Sequence, residues 1–227
     1  MIMKTKIIVL VCCFFISFSS ICQNDCTTYY PFEEGAKFEI TSFSKKGKKE
    51  SVVNYEVTSI ENNVATLKAI ISDDKGKEVT TTEYNVTCDG NSISIDFKSL
   101  MNPDLFKQYK DMELDMSGTN IELPNHLEVG QSLKDANLKM TINMSGIKMN
   151  MSIDMLNRKV DAKESVTTAA GTFDCFALSY NTEMKMGMKM SYKIKEWVAK
   201  GVGVVKSETY NKKGKSMGYS ELTSFTK

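Results

Sequence analysis

"LKMTINMSGIKMNMSIDM", Leu138 to Met155, is the stretch on which the fold turns. Its apolar residues are even-numbered up to Met144 and odd-numbered from Ile147. Alternation at a period of two is the signature of a half-buried strand, whereas a helix would repeat at three and four. A two-residue loop at Ser145-Gly146 accounts for the change of parity. It pairs Met144 with Ile147, Ile142 with Met149 and Met140 with Met151, all on one face of an antiparallel hairpin.

Outward from this hairpin the chain keeps alternating. "AKFEITSFS", "SVVNYEVTSI", "VATLKAIIS", "EVTTTEYNVT" and "SISIDF" are separated by turns rich in glycine, asparagine and aspartate. Short β-rich runs broken in this way predict an antiparallel meander. One segment departs from it: "NPDLFKQYKDM" places Pro103 at a helix-start position and Leu105, Phe106 and Tyr109 at helical spacing. The expectation is a mainly antiparallel all-β protein, a single curved sheet or half-open β-barrel, with one short helix near 103–110. No Pro- or Ser-rich linker divides residues 23–227, which read as one domain.

"EMKMGMKMSYK", Glu183 to Lys193, extends the argument. The even positions carry Met184, Met186, Met188, Met190 and Tyr192, preceded by Tyr180. A run from Phe173 to Ala199 is too long for one ordinary strand, so a turn is expected near Gly187. A two-residue loop would put Met184 and Met190 on opposite faces. An odd-length loop pairs them and keeps one apolar face, so an odd loop is predicted.

The first residues are a separate object. "MIMKTK" followed by "IIVLVCCFFISFSS" has the basic start and short apolar run of a secretory signal peptide, ending at residue 22. The expected location is therefore exported, periplasmic or extracellular. A lipoprotein anchored through Cys22 is the alternative, and membrane association is expected only in that case. Without Lys4 and Lys6 the formal charge moves from +1 to −1. Lysines alternate with apolar residues instead of clustering, and Arg158 is the sole arginine, which argues against a nucleic-acid partner. Beyond the leader the cysteines are Cys26, Cys88 and Cys175: two can pair in an oxidising compartment, and the sequence does not choose which.

"AAGTFDCF" (169–176) and "EWVAKGVGVVKSE" (196–208), with "YYPFEEGAKFEI" near the mature N-terminus and "LEVGQSL" at 127–133, resemble the secreted bacterial TapB-like family, of the domain-of-unknown-function 3108 type. The resemblance implies a half-open barrel similar to LolA- and LolB-type lipoprotein carriers, and it brings no catalytic residues. The residues are intelligible by themselves. Gly201 and Gly203 are read in a strand context that thins one face, with Trp197 packing over the bare backbone, and Gly171 as a turn residue leading Phe173 into the next strand.

A catalytic reading has little to build on. His126 is the only histidine, in a loop beside Pro124, and the carboxylates are spread singly among lysines. The protein is expected not to be an enzyme and to use no cofactor or metal. The methionines carry the functional expectation. Strands ordinarily fill inward positions with Val, Ile and aromatics, whereas Met gives a flexible, polarisable wall. Met140, Met144, Met149, Met151, Met184, Met186, Met188 and Met190, with Tyr180 and Tyr192, are the expected wall of a concave site for a hydrophobic small molecule, lipid or acyl chain. Two other readings stay open: a structural or adhesion-type envelope protein whose Met face is plain core, and a Met-based Cu(I) or Ag(I) protein, thioethers being soft ligands.

Overall fold

The structure, a computed structural model, describes residues 29–100, 113–144 and 147–227. The expected leader 1–22, Cys22, Cys26 and the helix expected near 103–110 lie outside the described residues. The strands are β1 (Lys37–Ser44), β2 (Lys49–Glu61), β3 (Val64–Asp73), β4 (Glu78–Cys88), β5 (Ser92–Ile95), β6 (Glu113–Thr119), β7 (Ile121–Pro124), β8 (Ala136–Met144), β9 (Ile147–Thr168), β10 (Gly171–Met186), β11 (Met188–Ala199), β12 (Gly203–Asn211) and β13 (Ser216–Thr226). Among the described residues the only helical element is a 3-10 turn, Phe97–Leu100.

All strands join one antiparallel sheet in the order β6-β8-β9-β10-β11-β12-β13-β1-β2-β3-β4-β5-β7. Its edge strands, β6 and β7, are separated in the chain by Asn120 alone. Two edges one residue apart cannot belong to an open sheet, so the sheet curls until it is nearly a closed barrel. Asn120 helps to fasten the seam: its side-chain oxygen accepts from Phe97 N–H at 3.1 Å, and its amide donates to Ser94 Oγ at 3.1 Å. Closure also removes most of the unpaired edge that an exposed strand would present to another chain.

The registers follow from the parity of the apolar residues. Met140 faces Met151, Ile142 faces Met149, and Met144 faces Ile147. In the next hairpin Met184 faces Met190 and Met186 faces Met188, leaving Gly187 alone at the tip with φ +72°. That is an odd loop. Only a residue tolerant of the left-handed region can make so tight a reversal without strain.

Two apolar clusters result. The larger draws on β1 to β5, β7 and β9 to β13; the smaller is Leu138, Met140, Ile142, Met151 and Ile153, with Met116, Met149, Met184, Met186, Phe97 and Leu100 packed on it. Each fully buried Met in that cluster contributes about 1.5–3 kcal/mol.

Two local readings are corrected. Gly201 is not in a strand: it forms the turn between β11 and β12 at φ +68°, and Gly203 opens β12. The space over Gly203 is taken by Tyr29, Tyr30 and Pro31, each about 3.8 Å from where a Cβ would stand, and not by Trp197. Trp197 instead donates its Nε1–H to Glu164 Oε1 at 2.6 Å, and the ammonium groups of Lys195 and Lys206 stand over its ring, 4.5 and 5.1 Å from the ring centre.

Cys88 is disulfide-bonded, to a partner outside the described residues, and Cys175 is a free, buried thiol. Burial, helped by the charges of Asp174 and Glu164, pushes that thiol up to about 11. Only about one molecule in a thousand is then thiolate at pH 8. Iodoacetamide labelling mapped by peptide mass should reach Cys175 only after denaturation; prompt labelling of the folded protein would contradict this environment.

Candidate functional site

The candidate site is the barrel interior on the larger-cluster side. On β10 and β11 the even positions point inward, bringing Tyr180, Thr182, Ile194, Glu196 and Val198 to one wall. On β9 the inward positions are odd as far as Met155; then Asn157, at φ +55° and held by a bond from its N–H to Asp135 Oδ1 at 2.8 Å, inserts a bulge. The bulge changes the parity, so that Arg158 and Val160 point inward instead. The opposite wall is Phe38 and Ile40 of β1, Tyr55 of β2 and Tyr84 of β4, and the chain entering β1 folds Tyr29 and Tyr30 inside. These walls line a partly open cavity of about 360 Å³.

Aromatic rings line much of it. Phe38 stacks on Tyr55 at 4.6 Å between ring centres, and Tyr30 and Tyr84 meet edge-on with Phe38 and Tyr55 respectively. The hydroxyls of Tyr30 and Tyr84 share a hydrogen bond of 2.6 Å. Burial raises Tyr30, Tyr84 and Tyr180 and pushes Tyr55 up to about 12, so at physiological pH all four are neutral phenols.

Two charge-bearing groups stand among them. Arg158, only 4% exposed, donates from Nη1 to the carbonyl oxygens of Lys134 at 2.6 Å and Glu122 at 3.0 Å. Glu122 belongs to the edge strand β7 and Arg158 to the far side of the seam, so this guanidinium also fastens the barrel. Burial lowers its affinity for its proton, while Glu196 is the first of the groups that raise it. Among the described residues no carboxylate lies within 4 Å of it. Burial pushes the Glu196 carboxyl up to about 7, against the pull of Arg158 and a hydrogen bond donated by the Tyr180 hydroxyl.

Of the ten residues expected to form a ligand wall, Tyr180 lines this cavity. Met140 and Met151 are buried in the packed smaller cluster; Met149, Met184 and Met186 are half-buried against it. Met188 and Met190 are exposed at the hairpin tip, and the Tyr192 hydroxyl donates to Met190 Sδ at 3.6 Å. Met144 is placed by its backbone pairing alone. His126 is exposed. The methionine that does face the cavity is Met155.

Arg158, Glu196 and the tyrosines 30, 55 and 84 were not singled out from the sequence as site residues. Glu196 could have been: in the row Tyr192, Ile194, Glu196, Val198 it is the one charged residue at an inward position. Arg158 could not be placed by alternation, because the bulge at Asn157 breaks the parity just before it. Among the described residues no group of three or more His, Cys, Asp or Glu is arranged to hold a metal ion, and no helix is long and apolar enough to cross a membrane.

The fold is shared with solved structures. A candidate exported protein with a YmcC-like fold from Bacteroides fragilis superposes at a TM-score of 0.75 with 21% identity, over 89% of this chain and 100% of that one. A candidate lipoprotein from Parabacteroides distasonis superposes at 0.73 with 22% identity, over 88% and 99%. No curated protein matches the chain. The sequence from 33 to 222, which spans β1 to β12 and most of β13, matches the DUF3108-like family, and the chain belongs to that family of unknown function.

Proposed function

We propose that this is an exported, non-catalytic envelope protein that binds or carries an apolar ligand, of lipid or acyl type, in the barrel interior. The observation that carries the reading is the cavity: about 360 Å³ is within the range of ~300–1,000 Å³ typical of small-molecule pockets, and it combines apolar and aromatic walls with a few convergent polar groups. The signal-like start of the chain supports export. So does likeness to a candidate exported protein and a candidate lipoprotein, with anchoring through Cys22 as the alternative to release.

The methionines take a different place in this reading. Met140, Met151 and their neighbours are close-packed with Phe97 and Leu100, which favours plain core for them and leaves the ligand to the tyrosine-lined side. Native mass spectrometry of protein purified from its own envelope, under conditions that keep non-covalent ligands, should show adducts of lipid mass. Repeatedly ligand-free spectra, together with no uptake from mixed lipid micelles, would sink the carrier reading and leave a structural component.

A further inference from the structure

The cavity has a polar end, and the groups there define what kind of apolar ligand it can take. Arg158 is a buried cation whose Nη1 is held by two backbone carbonyls and whose charge has no carboxylate in contact among the described residues. Burying a cation is unfavourable unless its charge is met nearby. The nearest acidic group on the same wall is Glu196, which shares its position with the Tyr180 hydroxyl. From the other packed elements, Tyr30 faces Glu196 from the N-terminal segment and Ser207 lies opposite it on β12. No lysine lines the cavity. Arg158 is the single cationic side chain of the cavity lining, flanked there by hydroxyls and by Glu196, with Glu122 and Asp135 acting on it from outside the lining. That charge count fits a monoanion and leaves a dianionic phosphate half unmatched.

The rest of the cavity fixes the other end of the ligand. Ile153, Met155, Ile194, Val198 and Leu123 give it an apolar lining next to Arg158. Its volume equals that of roughly a dozen liquid waters. A single chain of about that many heavy atoms fits, and a two-chain lipid does not.

We propose that the barrel interior binds a single-chain amphiphile with a carboxylate head, of the fatty-acid class, the carboxylate on Arg158 with Tyr180 as second donor and the chain along Ile153, Met155 and Ile194. This rests on the carrier reading and adds the chemistry of the head. A carboxylate and a guanidinium are matched in shape and charge, and bonds between ions are the strong ones in a water-poor site. Glu196 then acts as a gate on affinity: ionised, it competes with the ligand for Arg158; protonated, it can donate to the ligand.

The test uses the wild-type mature protein with dodecanoic acid, methyl dodecanoate and dodecyl phosphate, read by isothermal titration and native mass spectrometry at pH 6 and pH 8. The acid should bind about 10- to 100-fold more tightly than the ester, as expected for a charged hydrogen bond gained. Its affinity should fall by up to about tenfold from pH 6 to pH 8, the change expected if a group titrating near 7 must be protonated for binding. E196Q should bind the acid equally at both pH values, and Y180F should weaken the acid and leave the ester unchanged. Acid and ester binding alike would overturn the head assignment and leave the apolar-ligand reading standing. Tighter binding of the phosphate than of the acid would overturn the carboxylate choice. If none of the three binds, both the assignment and the reading beneath it fail.

Discussion

Arg158→Ala is expected to lower stability by about 3–5 kcal/mol, because it removes two hydrogen bonds donated by a buried charged group. For a chain of this size that is a fall of roughly 6–20 °C in melting temperature. The substitution takes away two bonds from a charged donor, each worth about 1.5–3 kcal/mol, and leaves the carbonyl oxygens of Glu122 and Lys134 without that partner. It also removes the positive charge that faces Glu196. Because Glu122 is on β7 and Arg158 on β9, the loss falls on the seam where the two ends of the sheet meet.

Amide exchange should therefore quicken first in β7 and in the chain from 129 to 133, whose N–H groups at Gly130 and Leu133 donate to β9 at Val160 and Arg158. Lys134→Ala is the informative contrast. Its ammonium contacts Glu122 at 2.6 Å across the same seam, but the Lys134 side chain is largely in solvent and that of Glu122 partly so, and the pair is worth less than about 1 kcal/mol. Guanidinium denaturation of the two variants separates the cases. If Arg158→Ala is within 1 kcal/mol of the parent, the seam does not depend on it.

How much of this could be read in advance depends on whether the alternation ran unbroken. From Leu138 to Met155 and from Leu178 to Ile194 the apolar alternation is unbroken on each strand, and both hairpin registers and the odd loop at Gly187 follow from it. Alternation says which residues share a face, but not what lies over that face. Met140, Met151 and the tyrosine cavity all face inward; Phe97 and Leu100 pack onto the former, while the segment carrying Tyr29 and Tyr30 lines the latter and leaves space. Tyr29 and Tyr30 come from a segment with no periodicity, so their insertion beneath Gly203 had no local signal. A curved sheet or half-open barrel was expected, but how its edges meet was not legible in the alternation. That meeting depends on β6 and β7 being consecutive in the chain and opposite in the sheet, a long-range property that hydrophobic periodicity does not carry.

Glu196→Gln should make the protein more stable at neutral pH, and the sign follows from the direction of the displacement. The folded protein holds this carboxyl at about 7, where an exposed glutamate sits at 4.5. Below pH 4.5 the group is protonated whether the chain is folded or not, and it has no effect on folding. Between 4.5 and 7 the unfolded chain releases the proton and the folded one retains it, so stability declines as pH rises; above 7 the full penalty is present. At about 1.4 kcal/mol per pH unit the penalty reaches about 3 kcal/mol. Glutamine has no such titration and keeps an acceptor for the Tyr180 hydroxyl. The variant and the parent should be equally stable at pH 4.5, and the variant ahead by up to about 3 kcal/mol at pH 8, measured by urea unfolding across the range. Glu164 provides the opposite sign in the same protein: the bonds from Trp197 and Lys195 lower it, so its contribution is present above 4.5 and is lost as pH falls. Parallel stability curves for E196Q and the parent from pH 4.5 to 8 would mean that Glu196 titrates as an ordinary surface acid. It would then be no part of a buried site. A gap that opens as predicted identifies a carboxyl that makes folding less favourable at working pH, and such groups belong where ligands are bound.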